Sequence, residues 1–263
     1  MDDSDKIWKF TQDYAAHNVA CLQERWNRAP VDLYRVEAYE VVGGLLARQV
    51  TLSNQLAMAP NLWNPHSAPL FLRSMGDCHI NLCWILADFE KRGREFVLYG
   101  LGQEALMIEK YKSELDMTDD DSQNFVESME SWLSWQRSKA LTEISLGNWS
   151  GATVRKMAEE VDLISFYDFS YAPFSAAVHA TWQHIGKYNL RPCRSALHKY
   201  HSIPYIFDAE PNPYFLFLSA KYLTKSLESF DSKFLIESKL VNPMKKFDEL
   251  IEQISDEFNS QTA

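Results

Sequence analysis

The chain has 263 residues, 46% of them hydrophobic and 13% aromatic, enough for one large globular domain or two small ones. Its 36 acidic and 26 basic residues leave a net charge of −10, which repels phosphate backbones and disfavours non-specific nucleic-acid binding. Charged residues at 24%, with only 9 glycines and 10 prolines, argue against global disorder and against a turn-rich all-β fold.

In chain order, residues 5–28 read as an amphipathic opening helix, and Pro30 begins the next segment. "RVEAYEVVGGLLARQVTLSNQLAMAP" predicts a long helix ending near Pro60. "APLFLRSMGDCHINLCWILADFEKRG" predicts a third, apolar around most of its circumference and therefore central. A further helix covers 94–115. "DMTDDDSQNFVESMESWLSWQRSKALTEIS" opens with Thr118 as a capping residue and three aspartates at the positive end of the helix dipole. "LGNWSG" breaks it, "TVRKMAEEV" forms a short helix, and "YDFSYAPFSAAVHATWQH" another. Residues 190–213 read as an irregular proline-rich excursion, and helices at 213–234 and 237–258 close the chain. No β-hairpin signal and no internal repeat stand out. The expected fold is an all-α bundle of eight to nine helices in a single domain, with a core over 30–205 and a C-terminal helical pair. The absence of an apolar run of about 18 residues predicts no membrane span. The polar start "MDDSDKIWKF" and the unpaired pattern of Cys21, Cys78, Cys83 and Cys193 predict a reduced, cytoplasmic protein.

A helix turns about 100° per residue, so polar groups falling inside apolar stripes mark sites that need partners. Arg48 falls in the stripe of Val41, Leu45, Leu52 and Leu56. Gln136 and Glu143 share a stripe with Met129 and Trp132. Tyr167, Tyr171, Ser175 and His179 recur every four residues. Met together, these groups would satisfy one another as a shared polar centre; kept apart, they are amphipathic side chains reaching solvent. On the third helix Arg73, Ser74, Asp77, Asn81 and Asp88 occupy one arc, with Arg73 and Asp77 spaced to pair. His79 lies about 240° round from Arg73, among leucines, where a core histidine is the simpler reading. Ser175 and His179 are one turn apart, but a nucleophile with its base needs a third group, Asp77 or Glu143, to orient it. In the excursion, Cys193, His198 and His201, with His184 before them, have a spacing that can hold zinc. Loops carry such histidines by chance, so no metal or other cofactor is expected, and His198 and His201 read as loop anchors. No phosphate-cradling glycine loop and no nucleophile elbow occur.

"LLARQV", "LFLRSMGDCHINLCWILAD", "YGLGQEALMIEKYK", "SWLSWQRSKALTEISLGNWSG", "VRKMAEEV" and "YDFSYAPFSAAVHATWQH" occur in an order and spacing that resembles a bacterial all-helical family classed as a domain of unknown function. The resemblance spans residues 40–205 and implies an all-helical fold without an assigned activity. "RSMGDCH" is more loosely similar to the motif of HEPN domains, helical proteins that often cut RNA as toxins or defence effectors. That resemblance implies Arg73 steadying a scissile phosphate, His79 assisting proton transfer, and a homodimer. Its early position in the chain departs from the HEPN pattern. The sharpest reading is thus a HEPN-like ribonuclease with Arg73, Asp77, His79 and His179 as catalytic candidates. The alternative is a non-catalytic binding or scaffolding protein whose polar centre of Arg48, Gln136, Glu143, Tyr167, Tyr171 and Ser175 fixes the packing or holds a small anionic ligand. A metal-dependent hydrolase built on the Cys/His group is a third.

Overall fold

The stretch around His79 becomes the middle of the bundle. In the computed structural model, which describes residues 3–30, 32–140, 150–195, 197–198 and 200–262, helices α1 (Asp3–Arg28), α2 (Val36–Ala57) and α3 (Ala68–Ala87) come first. α4 (Phe89–Glu114), α5 (Asp120–Ala140), α6 (Val154–Glu160) and the short α7 (Ile164–Phe166) follow. A π turn (Tyr167–Tyr171) leads into α8 (Ala172–Val178) and α9 (Trp182–Tyr188), and α10 (Tyr214–Phe234) and α11 (Pro243–Thr262) close the chain. α3 packs against α2 and α10, with α4, α6 and α8 around it. Leu72, Met75, Ile80, Leu82 and Ile85 of α3 are fully enclosed, as a helix apolar around most of its circumference requires. No helix among the described residues is long and apolar enough to cross a membrane.

The all-α expectation holds, with more helical pieces than eight or nine and one exception in the excursion. Strands β1 (Leu190–Pro192) and β2 (Ser202–Pro204) pair antiparallel, Arg191 opposite Ile203, so a short hairpin stands where none was expected. The residues between them carry no tight-turn dipeptide, and hence gave no hairpin signal.

Two boundaries moved for physical reasons. The predicted third helix breaks at Asp88 (φ −135°, ψ 71°). The break turns Phe89 into an aromatic cluster, edge-on to Tyr39 at 4.9 Å and to Phe234 at 5.4 Å. α4 then crosses α2 at Gly93, where a β-carbon would meet the Ala38 backbone at 2.9 Å; only glycine permits that approach. α5 is capped by Asp119 rather than Thr118, its carboxylate accepting the Ser122 N–H at 3.0 Å. α4 and α5 share a satellite core of Leu101, Ile108, Val126 and Leu133.

The quoted segment "YDFSYAPFSAAVHATWQH" is not one helix. Pro173 has no N–H for the carbonyl four residues back, and the turn before it is a π turn. Ala180, in the left-handed region at φ 47°, then separates α8 from α9.

Candidate functional site

α3 and the π turn–α8 segment meet face to face because Gly76 leaves room: a β-carbon there would sit 3.1 Å from the Tyr171 ring. Across this contact Arg73 donates from Nε to Ser175 Oγ at 2.8 Å and pairs through a terminal nitrogen with Asp77. Its guanidinium carbon lies over the Tyr171 ring, 3.4 Å from the centroid, and Tyr167 stacks on Tyr171 at 4.9 Å. Burial first, and then the Asp77 carboxylate, push the Tyr171 hydroxyl above its ordinary value, so it stays a proton donor at neutral pH. Five predicted residues therefore converge: Arg73, Asp77, Tyr167, Tyr171 and Ser175.

Ser175 also borders a cleft of about 600 Å³ between α8–α9 and the loop before α3, with Pro69 and Phe215 among its apolar walls. His179, His184 and Lys187 line it. Ser175 Oγ already accepts from Arg73, so its own hydrogen is left to donate; its intramolecular acceptor, the Tyr171 carbonyl, lies 3.4 Å away. His184 sits edge-on to His66 at 5.4 Å and beside Tyr188 at 5.0 Å. Desolvation, with the nearby His66, holds its imidazole below the usual histidine value.

The other predicted members lie elsewhere. Arg48 is exposed on α2, and Gln136 is half-buried on α5, which packs on α4; neither bonds to the Arg73 group. Both corrections have one cause: helical periodicity says which residues share a face, not which face the bundle covers. Arg48→Met is accordingly expected to change stability by no more than about 0.5 kcal/mol, read by thermal unfolding. Glu143 falls outside the described residues.

His79 is the core histidine that its place among leucines suggests, rather than a partner of Arg73. It leaves α3 on the opposite side from Arg73, is 2% exposed, and meets Ser226 Oγ through Nδ1 at 3.0 Å and the Phe166 ring at 4.8 Å. Ser226 commits its hydrogen to the Tyr222 carbonyl, so its oxygen accepts from Gln49 Nε2 at 2.8 Å and from His79 Nδ1–H. Desolvation, with Lys225 nearby, pushes His79 down to about 3. Among the described residues, Arg73 and His79 share no hydrogen-bond partner: Arg73 meets Ser175 and His79 meets Ser226.

A second, deeper polar seam escaped sequence reading. Tyr14 and Ser53 share a hydrogen bond of 3.0 Å, and Ser53 reaches Ser219 at 3.1 Å. With Gln49 and Ser226 it ties α1, α2, α3 and α10 together through small hydroxyls whose burial no periodicity announces. In the excursion, Cys193, His198 and His201 come together, whereas His184 points into the cleft instead.

No curated protein and no solved structure matches the chain. Residues 39–193, running from α2 through the cleft to the first strand of the hairpin, match a family model over well over half of the sequence, and the chain belongs to that family of unknown function, DUF5677.

Proposed function

We propose that the protein is a non-catalytic helical binding module that takes a small organic anion with an aromatic or apolar body in the cleft beside Ser175. One observation carries this reading. In a chain of net charge −10, no described residue lining the cleft is a carboxylate, while Lys187, His179, His184 and the Ser175 hydroxyl border it. A volume of about 600 Å³ with apolar walls and few polar groups suits a mononucleotide-sized ligand. Arg73 serves as a positioning residue, since its bond to Ser175 sets which way that hydroxyl donates. A ribonuclease built on Arg73 and His79 is disfavoured, because His79 is enclosed and uncharged.

The test is calorimetric titration with a panel of aromatic carboxylates and nucleoside monophosphates beside their neutral counterparts. The anions are expected to bind at least about tenfold tighter than the neutral forms, a difference of about 1.4 kcal/mol. Lys187→Glu should abolish that preference. A histidine held low by its surroundings gains its proton as pH falls, and its charge then favours the anion. Affinity should therefore rise from pH 7.5 to 5.5, and His184→Ala should flatten the rise. Equal binding of anions and neutral forms, or none at all, would sink the reading.

A further inference from the structure

The hairpin at the end of the family match places three soft or borderline donors together. Pro192 pairs with Ser202, and one step beyond the ladder the Cys193 N–H donates to the His201 carbonyl at 2.8 Å. This closes the loop so that residues 193 and 201 stand opposite each other. Within the loop, the His198 N–H donates to the Ser195 carbonyl at 3.0 Å and the His201 N–H to the His198 carbonyl at 3.1 Å. These two turns bring His198 back under Cys193. The Cys193 Sγ to His198 Nδ1 distance is 3.7 Å, the two imidazole centroids are 5.4 Å apart, and one ligand atom from each of the three residues lies within 4.8 Å of the others.

We infer that Cys193, His198 and His201 form a site for one zinc-class divalent ion, with its fourth position open to water or an added donor. Zinc–sulfur and zinc–nitrogen bonds of about 2.3 and 2.0–2.1 Å at a tetrahedral angle put a sulfur–nitrogen edge near 3.6 Å and a nitrogen–nitrogen edge near 3.3 Å. The sulfur–nitrogen pair is already at that edge, and the remaining donor needs to move in by about 1.5 Å at most. One thiolate and two imidazoles with no carboxylate select zinc over calcium or magnesium. On binding, the thiol gives its proton to solvent and the sulfur lone pair to the ion, leaving a local charge of about +1.

Among the described residues of the loop, none buries an apolar side chain that would fix its shape. Leu197 is 91% exposed and Tyr200 is fully so, and the two histidines are themselves exposed. An ion that cross-links residues 193, 198 and 201 supplies the ordering that burial does not. His184, which the spacing offers as a fourth ligand, instead packs on His66 and Tyr188. The family match stops at residue 193, so two of the three ligands lie beyond it and the site belongs to this chain's continuation. It is independent of the anion cleft.

The experiment is titration of the metal-stripped full chain with cobalt(II), followed by competition with zinc(II). One cobalt per chain is expected, with a thiolate charge-transfer band and the visible bands of a tetrahedral site, all displaced by zinc. Cys193→Ser should remove the charge-transfer band, and His198→Ala with His201→Ala should weaken binding by more than the roughly 100-fold that losing an outer partner costs. His184→Ala should leave the spectrum unchanged. Far-ultraviolet dichroism of the stripped variants should match the parent, because all three residues lie on the hairpin loop. Absence of the thiolate band at one equivalent, its persistence in Cys193→Ser, or its loss in His184→Ala would each overturn the assignment.

Discussion

Replacing Arg25 with methionine is expected to cost about 3–5 kcal/mol of folding stability, the range for removing one partner of a buried ion pair. Arg25 of α1 is 3% exposed, and its Nε lies 2.9 Å from both carboxylate oxygens of Asp231 on α10, itself 17% exposed. A terminal nitrogen also donates to the Cys21 carbonyl at 3.1 Å. Burial raises the Asp231 carboxyl above its ordinary value despite the pull of Arg25, so desolvation already outweighs the attraction. Without the guanidinium the half-buried carboxylate loses its ion-pair partner. Because a raised carboxyl takes up a proton more readily folded than unfolded, the loss should shrink as pH falls through its folded value. The double replacement Arg25→Met, Asp231→Leu should recover most of the loss, since two apolar groups can fill the same space without desolvating a charge. Urea unfolding of the three variants checks this. A single variant within about 1 kcal/mol of the parent would show that the pair is wetted.

The second large effect is acid sensitivity through His79. An unfolded histidine takes its proton near pH 6.5, whereas burial holds the folded one at about 3. Below pH 6.5 the unfolded chain binds the extra proton, so stability falls as pH falls, by about 1.4 kcal/mol per unit. At pH 5 the parent should have lost about 2 kcal/mol more than His79→Asn, measured against each protein at pH 7.5. Asparagine is the chosen replacement because its amide nitrogen sits where Nδ1 donates to Ser226, and it does not titrate. Equal acid losses in the two proteins would mean that His79 protonates freely inside the fold. That outcome would return it to the list of usable general acids and revive the RNA-cutting reading.

The sites that sequence reasoning located share a physical property. Arg73 with Asp77, and Tyr167 with Tyr171 and Ser175, are each spaced one helical turn apart, so local geometry alone places each set on one face. Bringing the two faces together needed Gly76, whose missing side chain opens the groove that Tyr171 fills. Arg48 and Gln136 had equally good spacing and ended elsewhere. Gln49, Ser53, Ser219 and Ser226 carried no signal, because a small hydroxyl or an amide on a helix looks the same whether it faces a neighbour or water. Their role emerges only from bonds that join α1, α2, α3 and α10.

Helical periodicity, composition and charge were sufficient to establish an all-α protein with α3 at its centre, because those properties depend on neighbours within a few residues. The break at Asp88, the π turn before Pro173 and the hairpin that gathers Cys193, His198 and His201 were decided by tertiary structure. Each of these depends on what packs against a residue from far along the chain. A sequence position carries that information only through the fold.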